Sequence, residues 1–154
     1  MNLIAPLLCP ERIRLKLDAS STSRVFEEAG RLFANSLGLD ATQVAETLAE
    51  REAMGSTALG QGIALPHARL KGLRQAQAAY MRLDLPISFN APDGKPVADL
   101  LVLLVPEKAT EAHLELLAEA AQMFADRRFR EQLRNQDDAA AVQQAFADWP
   151  ATAQ

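Results

Sequence analysis

Gly60-Gln61-Gly62-Ile63-Ala64-Leu65-Pro66-His67 is the stretch on which the reading of this chain turns. Two glycines open it, Ile63 to Leu65 read as a short buried strand, and Pro66, which has no N–H to offer a ladder, ends that strand. His67, one of only 2 histidines among 154 residues, follows where the strand is expected to give way to a loop. Ligand chemistry in open α/β sheets collects at such strand ends. His67 is therefore expected on a rigid element, pointed at a loop.

Working outward from this stretch, Ile13, Leu15 and Leu17 alternate with Arg12, Arg14 and Lys16, the period of a half-buried strand. The cluster Ser20-Ser21-Thr22-Ser23 supplies N-cap candidates for a helix to about Leu37, with Val25, Phe26, Ala29, Leu32 and Phe33 as its apolar stripe and Gly38 as its stop. Asp40, with Gln43 in the capping-box position, opens a second helix ending near Met54-Gly55, along which Val44, Leu48, Ala45 and Glu52 follow helical spacing. Residues 55–62 are small and polar and read as loop. Ala76 to Leu85 is a further strand, Asn90 to Pro96 a turn, and Leu100 to Val105 a continuously apolar strand buried on both faces. Thr110 caps a helix to about Ala125 that carries Leu114, Leu117, Ala118 and Ala121 on one face. Arg127 to Arg134 forms a short helix, and Asp137 or Asp138 caps a last one closed by Trp149-Pro150. The order β-α-α-β-β-β-α-α-α argues for a single α/β (α+β) domain over 12–150, a mixed β-sheet flanked by helices on both faces, with residues 1–11 as a poorly ordered lead-in.

Composition narrows the function classes. The chain is 49% apolar and 23% charged, with 16 Lys+Arg against 20 Asp+Glu for a net charge of -4. With no basic tract and no aromatic platform, nucleic-acid binding is disfavoured, and so is attachment to a membrane through a polybasic helix. Leu100 to Val105, the longest apolar run, is too short to span a bilayer, and Met1 to Pro10 lacks the charged start and cleavage pattern of a leader. A cytoplasmic protein without membrane insertion is expected. The one cysteine, Cys9, forms no disulfide framework and reads as a tolerated residue.

The chemistry on offer is that of phosphoryl transfer. A neutral imidazole at His67 can attack phosphorus with one ring nitrogen while the other is hydrogen-bonded. Ser56 and Thr57 bring hydroxyls, and Gly60 and Gly62 let backbone N–H groups approach a phosphate. Arg51 can grip phosphate oxygens with its fork. His113, near the start of a helix, can pair its ring N–H with an anion. Taken singly, each has a plainer reading: a structural histidine, a helix-terminal histidine, a solvated arginine, a turn. Their order from 51 to 67 is what joins them. Competing chemistries lack their marks. There is no Gly-x-x-x-x-Gly-Lys-Ser/Thr loop, no closely spaced zinc ligands and no Gly-x-Ser-x-Gly elbow, so neither metal nor cofactor is expected. Glu111, Glu115 and Glu119 read as a solvated helix face.

The run Arg51-Glu52-Ala53-Met54-Gly55-Ser56-Thr57-Ala58-Leu59-Gly60-Gln61-Gly62-Ile63-Ala64-Leu65-Pro66-His67 resembles the signature of the mannitol/fructose-type IIA proteins of the bacterial phosphoenolpyruvate-dependent phosphotransferase system. Val105-Pro106-Glu107 followed by His113-Leu114-Glu115-Leu116-Leu117, and Pro86-Ile87 with Phe89, extend the likeness from about Arg12 to Phe146. Within the family the likeness is greatest to the nitrogen-regulatory IIA proteins. The resemblance implies the IIA mannitol/fructose-type fold, with His67 accepting a phosphoryl group on Nε2 from an HPr-like carrier of the nitrogen branch. It implies Arg51 as the phosphate-stabilising arginine and His113 as the second active-site histidine. It also implies regulation of partners such as potassium transporters or sensor kinases according to phosphorylation state. A sugar-branch IIA phosphocarrier that passes the group to a fructose- or mannitol-type IIB component shares the His67 chemistry. A binding module of the same fold that never carries phosphate is the third reading.

Overall fold

The computed structural model describes residues 2–108 and 111–150. Its elements are β1 (Ile13–Leu17), α1 (Thr22–Leu37), α2 (Ala41–Ala53), β2 (Ala58–Gly60), β3 (Ile63–Ala64), β4 (His67–Leu70), β5 (Gln77–Ile87), β6 (Val97–Pro106), α3 (Glu111–Ala125), α4 (Arg127–Arg134) and α5 (Ala139–Asp148). The strands form one six-stranded mixed sheet in the order β1-β5-β6-β3-β2, with β4 also paired to β6. β6 runs antiparallel to β5 and parallel to both β3 and β4.

The side-chain period of two along β6 divides the interior. Leu101, Leu103 and Val105 face one core, with Leu116, Met123, Phe124, Phe129 and Phe146 from α3, α4 and α5. Leu100, Val102 and Leu104 face the other, with Val25, Phe26, Phe33, Val44 and Leu48 from α1 and α2. This is the mixed sheet with helices on both faces that the sequence led us to expect. Each of these six β6 side chains is at least nine-tenths buried, contributing roughly 1.5–3 kcal/mol through apolar burial.

The caps are where sequence chemistry places them. Ser21 accepts from the Arg24 N–H, Gly38 takes the left-handed conformation after α1, and Asp40 accepts from Thr42 and Gln43 N–H at the start of α2. Asp126 and Asp138 cap α4 and α5; the expected cap Thr110 lies outside the described residues. α1 and α2 approach closely at Gly30, where a Cβ would stand 2.3 Å from the Ala41 carbonyl oxygen.

Four expectations are corrected. Within the expected lead-in of residues 1–11, the described residues from Asn2 on are not loose: 3-10 turns at Ala5–Leu7 and Pro10–Arg12 accompany burial of Asn2, Ile4, Ala5 and Leu8, and of Arg12 just beyond. Arg12 is held there by the Ala78 and Leu7 carbonyls, Gln77 and Ser36. The loop over 55–62 contains β2, antiparallel to β3. α3 is rotated from its expected face, burying Leu116, Ala120, Met123 and Phe124 and exposing Leu114. An aromatic cluster, in which Phe124 meets Phe129 at 5.5 Å and Phe146 at 6.1 Å, fixes that rotation. Glu119 is not merely solvated, since it accepts the Leu3 N–H.

Asn2 joins the chain's two ends. Its Nδ2 donates to Phe146 O at 2.7 Å and Trp149 O at 2.9 Å, and its Oδ1 accepts from Ile4 N at 3.1 Å and Ala5 N at 2.9 Å. Asn2→Ala leaves these buried groups without partners and is expected to cost about 2–3 kcal/mol in urea unfolding. A loss below roughly 0.5 kcal/mol, the usual surface effect, would show that the N-terminal turns contribute nothing to the fold.

Candidate functional site

The C-terminal turn of α2 presents Arg51 and Glu52 in succession. Arg51 turns back on its own helix end, donating from Nη1 to Gly55 O at 3.0 Å, where a cation meets the carbonyl end of the helix. Glu52 turns to the connection that follows. Its Oε2 accepts from Thr57 N at 2.9 Å and its Oε1 from Thr57 Oγ1 at 2.7 Å. Ser56 braces the same connection, donating from Oγ to Phe89 O at 2.6 Å and accepting from Ala58 N at 3.1 Å.

Thr57 then reaches across to β3. Its carbonyl accepts the Leu65 N–H at 3.0 Å, and the Leu65 carbonyl lies 2.9 Å from Nδ1 of His67. A carbonyl oxygen can only accept, so Nδ1 carries the ring proton and Nε2 keeps its lone pair. Burial is the main reason the imidazole's pKa lies below its ordinary 6.5. The Leu65 bond raises it, the Arg51 cation lowers it and the Glu52 carboxylate raises it. At neutral pH His67 is an uncharged imidazole with a bare Nε2, the protonation state a nucleophile requires.

The strand around His67 differs from expectation. β3 stops at Ala64, ahead of Pro66 as expected, but no loop follows. The Pro66 carbonyl accepts the Leu103 N–H at 2.9 Å, and pairing to β6 resumes with His67 opposite Leu103. His67 is thus the first residue of β4. Ala68 and Leu70 turn into the α1–α2 core, so His67 and Arg69 stand on the alternate side of the strand.

The glycines are also placed differently. Gly60 ends β2, and Gln61 and Gly62, with φ of 59° and 80°, make the tight turn into β3. That turn is at the end of β3 away from His67, five extended residues or roughly 16 Å along the chain. The Gln61 N–H is taken at 2.9 Å by Asp93, a carboxylate whose pKa is held down chiefly by that bond. A Cβ on Gly60 would meet the same carboxylate at 3.2 Å. Gly60 and Gly62 are therefore hairpin residues beside the Asp93 carboxylate.

His113 stands in the first turn of α3, half-buried. The strand feeding α3 is β6, whose C-terminal residue Pro106 pairs with Leu70 at the end of β4. The structure links His67 with Arg51 and Glu52 electrostatically and with Thr57 through Leu65. Glu52 is the residue the sequence reading missed: it enters there only as following the helical spacing of α2. A carboxylate five residues ahead of a threonine, at a helix end, was the available signal. No helix among the described residues is long and apolar enough to cross a membrane.

Comparisons with known proteins identify the family. Residues 6–149 match the family described as phosphoenolpyruvate-dependent sugar phosphotransferase system, EIIA 2. A nitrogen regulatory protein of Pseudomonas aeruginosa is 43% identical over 143 residues, covering 92% of this chain and 93% of that protein. The crystal structure of nitrogen regulatory protein IIA-Ntr from Neisseria meningitidis superposes with a TM-score of 0.86 at 42% identity, covering 92% of this chain and 97% of that one. The IIA mannitol structure of Escherichia coli shares the fold, with a TM-score of 0.74 at 17% identity over 90% of this chain and 97% of that one. With nearly its whole length matched, this chain belongs to the EIIA type-2 family of the phosphotransferase system.

Proposed function

We propose that this protein is a phosphoryl-accepting regulator of the nitrogen-related phosphotransferase branch, phosphorylated on Nε2 of His67 by an HPr-like carrier in the cytoplasm. The observation that carries the reading is the bond from Nδ1–H to the Leu65 carbonyl, which leaves Nε2 as the only nitrogen with a lone pair. In the transfer, the Nε2 lone pair forms the new N–P bond while the bond from phosphorus to the donor's imidazole nitrogen breaks. The His67 ring proton stays on Nδ1, so no general base is needed. Little covalent chemistry falls to the protein beyond positioning and charge stabilisation.

Arg51, anchored through one N–H at the end of α2, supplies the cation for the transferred group, and His113 is the second histidine of the site. Thr57 serves by fixing the connection. Ser56 does the same, because its hydroxyl proton is already committed to Phe89. The strong likeness to nitrogen regulatory proteins along nearly the whole chain supports the regulatory branch. Phosphorylation adds a charge of roughly -1.5 to -2 at neutral pH. A partner surface complementary to the uncharged imidazole would reject that charge, which is how binding to potassium transporters or sensor kinases would follow phosphorylation state.

Intact-protein mass after incubation with phosphoenolpyruvate, enzyme I and an HPr-like carrier from each branch tests this reading. The expected result is one acid-labile phosphoryl group, absent from His67→Ala and acquired faster from the nitrogen-branch carrier. Faster transfer from the sugar-branch carrier, with onward transfer to a IIB protein, would replace the regulator with a sugar phosphocarrier. No phosphorylation from either would leave a binding module.

The rate of phosphoryl acceptance should depend on pH through His67. Because burial lowers its pKa, the reactive neutral form persists to lower pH than in a free imidazole. The acceptance rate, measured with pre-phosphorylated carrier, is expected to stay level near neutrality and fall as pH drops through a midpoint below 6.5. Arg51→Ala removes a cation that opposes protonation, so it should move that midpoint upward as well as slowing transfer. A midpoint above 6.5 in the unaltered protein would refute this account of the imidazole.

A further inference from the structure

Glu52 makes two of the shortest hydrogen bonds beside His67, yet nothing in phosphoryl transfer to a neutral imidazole requires a carboxylate. It removes no proton, since Nδ1–H keeps its hydrogen throughout, and a second anion near an incoming phosphoryl group is unfavourable. Its place has another physical reason. Both carboxylate oxygens are spent on Thr57, one on the backbone N–H at 2.9 Å and one on the hydroxyl at 2.7 Å. Thr57 is buried, so these donors carry a penalty if left unpaired. From Thr57 the bonds continue without interruption: its carbonyl holds the Leu65 N–H at 3.0 Å, and the Leu65 carbonyl faces Nδ1 of His67 at 2.9 Å.

We infer that Glu52 is a positioning residue for His67, acting through Thr57 and Leu65 to fix the carbonyl that selects the Nδ1–H tautomer and aims Nε2. This rests on the reading of His67 as the phosphoacceptor. The segment held is short and rigidly sited. It runs from the last turn of α2 into β2, and β2 pairs with β3 through Ala58 opposite Ala64, one residue before Leu65. Any drift of Thr57 therefore passes directly to the Leu65 peptide. Outer hydrogen bonds of this kind set the tautomer and orientation of functional histidines, with effects of roughly 10- to 100-fold when removed from metal-binding histidines.

Three variants of the full chain separate geometry from charge. Glu52→Ala removes the clamp and the charge. Glu52→Gln keeps the clamp's shape, its carbonyl accepting the Thr57 N–H and its amide donating to the Thr57 hydroxyl, but removes the charge. Thr57→Val keeps the charge and nearly the same volume while deleting one of the two bonds. Two readouts are needed: the tautomer of His67 from its imidazole nitrogen chemical shifts in the unphosphorylated protein, and the dependence of transfer rate on the concentration of phosphorylated carrier. The Nδ1–H tautomer is expected to be uniform in the unaltered protein and in Glu52→Gln, and mixed in Glu52→Ala and Thr57→Val.

The maximal transfer rate is expected to fall roughly 10- to 100-fold in Glu52→Ala, with the half-saturating carrier concentration unchanged, and by an intermediate factor in Thr57→Val. An unchanged tautomer and rate in Glu52→Ala would overturn the inference. So would a Glu52→Gln rate as low as that of Glu52→Ala, because charge alone would then be at work. If Glu52→Ala does not fold, Thr57→Val decides on the same criteria. Should the unaltered protein accept no phosphoryl group, the phosphoacceptor reading fails, while the tautomer measurement still judges the clamp.

Discussion

The hydrogen bond from the Leu103 N–H to the Pro66 carbonyl holds the architecture and the site to one another. Proline deprives the strand of a donor, and the chain could leave the sheet at this point. Instead the remaining carbonyl keeps its place on β6. Ile63 lies opposite Asp99, Ala64 opposite Leu100 and His67 opposite Leu103, a constant offset that carries one register across the break. Two short strands therefore act as one interrupted strand along the most buried element of the molecule. His67 inherits the rigidity of the core without being enclosed by it, and the interruption frees the Leu65 carbonyl to face the imidazole.

The far end of β3 is fixed by a different force. Asp99 is nearly fully buried, with Arg82 Nε at 3.4 Å, Arg134 Nε at 3.6 Å and Tyr80 Oη at 2.5 Å. Burial, with Asp99 next, pushes the Tyr80 hydroxyl's pKa well up, so it stays a donor. A buried carboxylate is costly unless its lone pairs are satisfied, and here the satisfied group is also a junction. Arg82 donates to the Leu133 and Gln136 carbonyls at the end of α4, and Arg134 donates to the Gln61 carbonyl in the hairpin turn. The Gly62 carbonyl accepts from both Ala98 and Asp99 N–H. The hairpin is thus pinned at its turn by charge and at its open end by Glu52, leaving the Thr57–Leu65 segment little freedom between them.

Legibility in the sequence followed the strength of the local signal. Leu100 to Val105, the α1 stripe and the aspartate caps were readable because periodicity, length and cap chemistry agree there. β2 was hidden because a three-residue strand ending in glycine shows no period, and its existence depends on pairing with β3. α3 is apolar on more than one face, so its rotation was decided by Phe129 and Phe146 from other elements. The N-terminal turns were misread because Asn2 buries itself against α5, nearly the whole chain away. In the site, His67 and Arg51 are chemically conspicuous residue types. Glu52 was not, since a carboxylate at a helix end is ordinary until the partner it grips is known. Gly60 and Gly62 were ambiguous for the converse reason: a type of turn and a type of phosphate loop use the same residue.

The electrostatics of the site suit the proposed phosphoryl acceptance. Arg51 and Glu52 act on His67 in opposite directions, and burial decides for the neutral ring. On the proposed reading, a site carrying the Arg51 cation favours the incoming phosphoryl group. One lacking the cation would resist receiving it. In the proposed transfer the Arg51 cation would meet the phosphoryl group, while the Glu52 carboxylate stays committed to Thr57. A half-buried histidine between opposing charges suits the proposed role of phosphoryl acceptor, whose added charge a partner would read.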